Sequence, residues 1–232
     1  MIDTDQCFLH DVCRIYQKGE CHPHEFCLKL FKTDALYNEG LFALEQRQHH
    51  NLYIDSDGTD REEFGKLKSI EKNIEDFVSN GSNLYIFSHH CGNGKTSWAL
   101  RLCQSFVNKI WHKTDIRCRV LFVSVPRFLI MLKDNISCRN DYIAHIKENI
   151  YDCDLVVWDD IGTKVGTEFE IENLLTILDY RVANNMSNIF TSNLSSYELQ
   201  ERVGERLFSR IVNTSTVIEL RGVDKRGAGN TL

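Results

Sequence analysis

Short apolar runs alternate with longer amphipathic segments from residue 84 to about residue 220. The runs are rich in β-branched and aromatic side chains and predict strands at 84–88, 119–125, 155–158, 187–192 and 216–220. Apolar side chains three and four positions apart predict helices at 66–78, 96–110, from Pro126, near 141–150, at 169–184 and from Ser195 to about Val212. Strands that alternate with helices in this way predict an α/β fold, a parallel sheet with helices on both faces.

The amino-terminal part of the chain has a different composition. Cysteine and histidine are concentrated in the first 27 residues, before an amphipathic stretch at 28–44. A polar segment with the acidic run at 55–60 follows, which is typical of a linker. We therefore expect a small helical domain in residues 1–50, a linker in 51–65 and the α/β domain in 66–232.

Composition narrows the class of protein. The chain has 232 residues, of which 42% are hydrophobic and 26% are charged, as in a soluble globular protein. No apolar run approaches the roughly 18 residues of a membrane span, and the amino terminus lacks the pattern of a secretory signal, so a cytoplasmic location is expected. The net charge of −6 is unlike that of a protein that coats DNA, so any contact with nucleic acid is expected to be local or made by an assembly.

The segment YIFSHHCGNGKTS at 85–97 has the pattern of a phosphate-binding P-loop between a strand and a helix. Glycines let backbone N–H groups surround phosphate oxygens, Lys95 reaches the β- and γ-phosphates, and Thr96 supplies a hydroxyl to Mg²⁺. His89 stands where this motif has its first glycine, and a glycine turn before a surface helix is the alternative. The residues expected at the nucleotide are Cys91, Gly92, Asn93, Gly94, Lys95, Thr96 and Ser97.

The segment YDCDLVVWDDIG at 151–162 is typical of a Walker B element, in which an apolar strand ends in carboxylates. We assign Asp159 to Mg²⁺, together with Thr96, and Asp160 to the water that attacks the nucleotide. A buried strand that ends in a solvated Asp-Asp turn is the alternative. Its position about 60 residues after the glycine loop favours the nucleotide site.

Two further candidates are weaker by themselves. Asn193 follows a predicted strand, where a neutral polar side chain could sense the γ-phosphate, although Asn is common at strand ends. Arg206 and Arg210 lie four positions apart on one helix face and could supply an arginine finger from a neighbouring subunit, with Arg210 preferred. For Arg206 and Arg210, the alternative is a solvated basic stripe on the helix that pairs with Glu201 or Glu205.

The amino-terminal cysteines are candidate zinc ligands. Zinc prefers four nitrogen or sulfur ligands, and a small segment with a thin core gains folding energy from the metal. The spacings are looser than those of tight zinc knuckles, so reduced buried thiols are the alternative. The candidates are Cys7, Cys13, Cys21, His24 and Cys27, with His10 and His22 as alternates.

Taken together, GNGKTSWAL (92–100), VSVPRFLIMLK (123–133), DLVVWDDIG (154–162), FTSNLS (190–195) and ERLFSRI (205–211) closely resemble the AAA+ domain of DnaC/DnaI-type helicase loaders, most of all phage versions with a cysteine-bearing amino-terminal domain. The resemblance implies an ATPase without a separate lid domain that uses ATP and Mg²⁺. It also implies binding of the hexameric replicative helicase through the amino-terminal domain, delivery to single-stranded DNA, and self-association or assembly on the helicase. By the same resemblance Asn193 is a first sensor, and Arg226 or Lys225 is similar to a second sensor.

Two other functions fit the same motifs. A transposition helper similar to IstB shares the ATPase domain, but the acidic charge and the cysteine-rich amino terminus count against it. A nucleotide-binding adaptor with little hydrolysis is the other, and the histidine at position 89 is the feature that favours it.

Overall fold

A parallel five-stranded sheet forms the centre of the described structure. The computed structural model describes residues 9–20, 27–42, 58–113, 117–137, 141–163 and 166–223. The spatial order of the strands is β2-β3-β4-β1-β5, and every neighbouring pair is parallel. The strands are β1 (Asn83–Phe87), β2 (Val120–Ser124), β3 (Leu155–Asp159), β4 (Ser187–Ser192) and β5 (Ser215–Glu219).

Helices cover both faces of this sheet. All residues of β1 to β4 are buried, as expected for parallel strands between two helical layers. One core cluster contains side chains of α6 to α10, and the other contains side chains of α2 to α5. The helices are α1 (Arg14–Gln17), α2 (Cys27–Asn38), α3 (Arg61–Lys72), α4 (Ile74–Ser79), α5 (Lys95–Ile110), α6 (Val125–Ser137), α7 (Asp141–Asp152), α8 (Glu168–Ala183), α9 (Ser196–Val203) and α10 (Glu205–Ile211).

The predicted fold class is confirmed, and two helix predictions differ from the structure. The helix expected from Ser195 to Val212 is two helices, because Gly204 has a φ of 80° that ends α9 before α10 begins. The helix expected at 66–78 begins earlier, at Arg61, and is interrupted at Asn73. Helix α9 begins with a capping box, in which Ser195 accepts from the backbone N–H of Glu198.

The described part of the amino-terminal region packs on the larger domain. Leu36 and Phe42 lie in the core cluster beside α5. Leu41 pairs in parallel with Val123 and so covers the outer edge of β2. The ammonium of Lys32 is buried and donates to the carbonyls of Ile110 and Lys113 at the end of α5. Residues 27–42 are therefore attached to the sheet, whereas the sequence placed them in a separate domain.

A buried arginine joins three segments at the amino-terminal edge of the sheet. Arg181 on α8 is fully buried, and its guanidinium donates to the carbonyl oxygens of Ile150 (2.6 Å), Cys153 (2.9 Å) and Ser187 (2.7 Å). Its Nε also donates to the side chain of Asn188 at 2.7 Å. Burial lowers the pKa of Arg181 to about 10, so the guanidinium stays charged at neutral pH.

We expect Arg181→Ala to lower the free energy of unfolding by at least about 3 kcal/mol, because several buried acceptors lose a charged donor. Urea denaturation followed by circular dichroism measures this change. Arg202→Ala, at an exposed position on α9, is the control and should change stability by less than about 0.5 kcal/mol. A loss below about 1 kcal/mol for Arg181→Ala would show that the network contributes little.

Candidate nucleotide-binding site

The candidate site lies where β1, β3 and β4 end. In a parallel sheet the carboxyl ends of all strands meet at one edge, and ligands bind in the crevice there. The register pairs Phe87 with Ser192 and Trp158 with Phe190. Asp159, one residue past Trp158, therefore lies beside Thr191. The loop at 88–94 leaves β1 at the same edge and leads into α5.

The loop turns at two glycines. Gly92 has a φ of 73°, and Gly94, the N-cap of α5, has a φ of 101°. Such values are strained for residues with a side chain. Among the described non-glycine residues, positive φ occurs only at Asp160 and Asn185, so His89 does not take a left-handed conformation. The left-handed geometry of this loop thus comes from Gly92 and Gly94, and position 89 does not require glycine.

Asn93 holds the loop in shape. Its side chain is buried, and its amide donates to the hydroxyl of Ser88 and to the carbonyl of Leu220. The ammonium of Lys95 donates to the carbonyl of His90 (2.8 Å) and to Oδ1 of Asn93 (3.2 Å). Lys95 is only 5% exposed, so its charge lies within the loop. Cys91 is exposed on the loop, and Ser97 lies in the first turn of α5.

Asp159 joins the glycine loop to the neighbouring strand. Its carboxylate is fully buried, and Oδ1 accepts from the hydroxyl of Thr96 (2.9 Å) and from that of Thr191 (2.6 Å). The hydroxyl of Thr191 in turn accepts from the backbone N–H of Asp160 at 3.0 Å. A hydroxyl and a carboxylate oxygen in contact are hard ligands that can enter the shell of one Mg²⁺ ion. The two residues assigned to magnesium are thus adjacent, and they fit that metal.

Asp160 differs from Asp159 in conformation and exposure. Its φ is 59°, a left-handed value that Asp tolerates better than most residues do. Asp160 is only partly buried, although Asp159 before it and Ile161 after it are both buried. Two consecutive carboxylates are therefore held in different environments at the same edge.

The end of β4 is fixed by hydroxyl groups. Ser192 donates to the carbonyl of Ile161 at 2.7 Å and accepts from the backbone N–H of Leu194 at 3.1 Å. The phenol of Tyr85 donates to the carbonyl of Leu194 at 2.8 Å, and burial raises the pKa of this tyrosine. Asn193 lies between Ser192 and Leu194 and is partly buried. It is at the same edge of the sheet as the glycine loop.

His89 contacts the helix that follows β4. Its Nδ1 lies 3.6 Å from Oε2 of Glu198, the third residue of α9 and the partner of Ser195 in the capping box, and its ring lies edge-on to Phe87. Hydrogen bonds from Ser195 lower the pKa of Glu198, so the carboxylate is charged at neutral pH. The histidine thus connects the loop to α9 at its surface.

The structure places Arg210, the preferred finger candidate, away from this edge. Arg210 forms an ion pair with Asp179 near the end of α8, and Arg206 is exposed on α10. Helix α8 runs from the carboxyl edge of the sheet back to the start of β4, so Asp179 lies towards the opposite edge. A finger role for either arginine stays a prediction about a neighbouring subunit. Arg226 and Lys225 lie outside the described residues.

The zinc prediction falls mostly outside the described residues. Cys7, Cys21 and His24 are not in the described ranges, whereas Cys13 and Cys27 are, each partly buried. Within the described ranges, no group of three or more His, Cys, Asp or Glu side chains is arranged to hold a metal ion. Likewise, no described helix is long and apolar enough to cross a membrane.

Two residues at the site were not singled out from the sequence. Thr191 carries the contacts to Asp159 and Asp160, and the Thr-Ser-Asn pattern at the end of β4 was its only signal. Asp60 is buried and accepts from the backbone N–H groups of Arg221 (2.7 Å) and Gly222 (2.8 Å), which follow β5. It was assigned to the linker, because an acidic residue in a polar segment gives no sign of burial.

The glycine loop yields a prediction about which of its positions tolerate a side chain. We expect His89→Ala to change the affinity for a fluorescent ATP analogue by less than about threefold, since position 89 has no left-handed φ and its contact with Glu198 is exposed. Gly94→Ala should weaken binding about tenfold or more, because an alanine at φ 101° is strained by roughly 1–3 kcal/mol. Equal losses in the two variants would contradict this interpretation of the loop.

The chain is similar to proteins of replication initiation. A search against protein-family models finds no match. The replicative helicase loader DnaC of Escherichia coli strain K12 is 22% identical over 186 residues, which cover 79% of this chain and 71% of DnaC. A crystal structure of the DnaC helicase loader matches with a TM-score of 0.63 and 19% identity, and covers 77% of this chain and 100% of that chain.

A second similar structure was solved with the nucleotide analogue AMPPCP bound. AMPPCP-bound DnaA from Aquifex aeolicus matches with a TM-score of 0.55 and 19% identity, over 73% of this chain and 48% of that chain. The predicted resemblance to DnaC is confirmed, whereas the likeness to phage versions and the character of the amino-terminal domain stay predictions. In its sequence the chain is thus similar to the DnaC helicase loader, and its fold is similar to the folds of DnaC and DnaA.

Proposed function

We propose that this protein is an ATP-dependent loader, which binds the hexameric replicative helicase and helps to deliver it onto single-stranded DNA. The observation that carries the ATP-dependent part is the contact of Thr96 with Asp159 beside the glycine loop. The loader role is supported by similarity to DnaC over 79% of the chain. The contact at the nucleotide site and the similarity to DnaC are separate observations, and each part of the proposal is tested by its own experiment.

Nucleotide binding is proposed at the loop between β1 and α5. Gly92 and Gly94 allow the backbone to curl, and the amino terminus of α5 presents N–H groups that favour phosphate oxygens. Lys95 adds a cation within the same loop. DnaA from Aquifex aeolicus, which has a similar fold, was solved with AMPPCP bound, and this likeness also favours nucleotide binding here.

Thr96 and Asp159 are proposed to hold Mg²⁺. When bound, this ion neutralises charge on the phosphates and orients them. Thr191 fixes the position of the Asp159 carboxylate through its 2.6 Å hydrogen bond. The hydroxyl of Thr96 and the carboxylate of Asp159 are thereby held in position by hydrogen bonds within the chain itself.

Asp160 is proposed to orient the attacking water and to accept its proton. It follows the magnesium residue directly, it is less buried, and its turn keeps it at the same edge as the loop. Asn193 is proposed to contact the γ-phosphate from the end of β4. A general base in such a position contributes about 10²–10⁴ in rate.

We expect Asp160→Asn to lower the rate of ATP hydrolysis by about 100-fold or more while nucleotide affinity stays within about twofold. Asparagine keeps the size of the side chain and tolerates the left-handed backbone. Phosphate release and fluorescent-nucleotide titration measure the two quantities. Asp134→Asn, at an exposed position on α6, is the control. Hydrolysis at the normal rate by Asp160→Asn would exclude this role.

The amino-terminal region is proposed to contact the helicase. Helix α2 packs on the larger domain through Leu36, and on its outer side Leu30 remains 51% exposed. An exposed leucine on a helix can serve as an anchor for a partner surface. The net charge of −6 disfavours strong DNA binding by one subunit, so contact with single-stranded DNA is proposed to depend on assembly on the helicase.

Complex formation with the hexameric replicative helicase of the cell in which the protein acts is the test of the loader role. We expect a complex by size-exclusion chromatography with light scattering, in the presence of ATP and Mg²⁺. Leu30→Glu should weaken it about tenfold or more, since the side chain that is proposed to be buried against the helicase is replaced by a charge. Tyr197→Glu, at a 70% exposed position on α9, is the matched control.

The outcomes of these two experiments are independent. No complex with or without nucleotide would contradict the loader proposal and leave the ATPase proposal standing. Binding of duplex DNA in place of the helicase would favour the transposition helper.

A further inference from the structure

Two cysteines distant in sequence are in contact at the amino-terminal edge of the sheet. The Sγ atoms of Cys118 and Cys153 are 3.5 Å apart, and the Cys153 thiol also lies 3.3 Å from the carbonyl oxygen of Cys118. The register of β2 and β3 pairs Val120 with Leu155, and each cysteine lies two residues before its strand. Cys153 directly follows α7, where its backbone N–H donates to the carbonyl of Asn149, so the end of this helix and the start of the strand pairing together place the two sulfur atoms in contact.

The contact between the two sulfur atoms is compatible with a disulfide bond. The strands that begin two residues later are neighbours about 4.8 Å apart, and bridged cysteines usually have Cα atoms about 4.4–6.8 Å apart. An S–S bond of about 2.05 Å needs the two sulfur atoms to approach by roughly 1.5 Å, a distance that side-chain rotation can supply.

The two thiols differ in their exposure to solvent. Cys118 is partly exposed and lines a small cleft between α2, α5 and β2, whereas Cys153 is buried. Burial, and then the neighbouring Cys118, raise the pKa of the Cys153 thiol, an effect that Asp152 increases and the Arg181 guanidinium partly offsets. Since the thiolate is the nucleophile, Cys118 is the sulfur that meets an external reagent first.

We propose that Cys118 and Cys153 form a dithiol site that small-molecule disulfides, such as oxidised glutathione, convert to an intrachain disulfide bond. This site is separate from the proposed ATPase function. It lies before the amino ends of β2 and β3, at the edge opposite the glycine loop.

The reaction proceeds by two thiol–disulfide exchanges. The Cys118 thiolate attacks one sulfur of oxidised glutathione, a Cys118–glutathione bond forms, and the first glutathione leaves as a thiolate. The Cys153 sulfur then attacks the Cys118 sulfur, the Cys118–glutathione bond breaks, and the proton of the Cys153 thiol goes to the departing glutathione sulfur. Two cysteine thiols are oxidised, and one glutathione disulfide is reduced to two thiols.

Peptide mapping of the full chain tests this proposal. The folded protein is incubated with oxidised glutathione, its remaining thiols are alkylated, and digests are analysed by mass spectrometry with and without reduction. We expect one dominant cross-linked peptide containing Cys118 and Cys153, lost on reduction. Its yield should be about tenfold or more above that from protein unfolded in urea, because only the fold holds the two sulfur atoms together.

Two variants separate the roles of the sulfur atoms. In Cys153→Ala, Cys118 should stop at the mixed disulfide with glutathione, since the resolving thiol is absent. Cys103→Ala removes another buried thiol, on α5, and should leave the cross-link yield unchanged. If Cys153→Ala does not fold, the mapping of the unaltered chain still decides.

Three outcomes would overturn the proposal. The first is a Cys118–glutathione adduct that persists in the unaltered chain while Cys153 remains open to alkylation. The second is an equal yield of the cross-link in folded and unfolded protein. The third is pairing of either cysteine with a different cysteine of the folded chain.

Discussion

The buried carboxylate of Asp159 is the contact on which the nucleotide edge of this protein depends. A charge removed from water is costly unless hydrogen bonds compensate for it, and the hydroxyls of Thr96 and Thr191 both donate to one of its oxygens. Those hydroxyls belong to α5 and β4, so the carboxylate fixes the first turn of the helix after the glycine loop relative to two strands. The remaining candidate groups, Asp160 and Asn193, follow directly from the ends of these strands.

The alternation of strands and helices could be predicted from the sequence because of where the strands lie. Between two helical layers, a parallel strand is apolar along its whole length, and such a run is visible without tertiary information. The glycine loop and the paired aspartates could be identified for a related reason, since their chemistry depends on residues that are adjacent in the chain. The strand after α8 was placed at 187–192, where the structure has it.

Contacts between distant segments could not be predicted in this way. Arg181 has the spacing of an ordinary helix residue, and only the structure shows that it is buried among carbonyl oxygens. Cys118 and Cys153 come together where β2 and β3 begin to pair, and no local pattern specifies that pairing. Leu36 and Phe42 are apolar residues in a segment of mixed character, and the surface on which they pack is formed by residues far along the chain. The assignment of residues 1–50 to a small domain rested on composition, which does not report on packing, and it stays a prediction.

Helix α5 has a different partner at each of its ends. Its first residues carry Lys95 and Thr96, and its last turn receives the buried ammonium of Lys32 from α2. The helix has 16 residues and is therefore about 24 Å long. The nucleotide edge and the contact with α2 thus lie at opposite ends of one continuous helix, so any change in the position of α5 alters both.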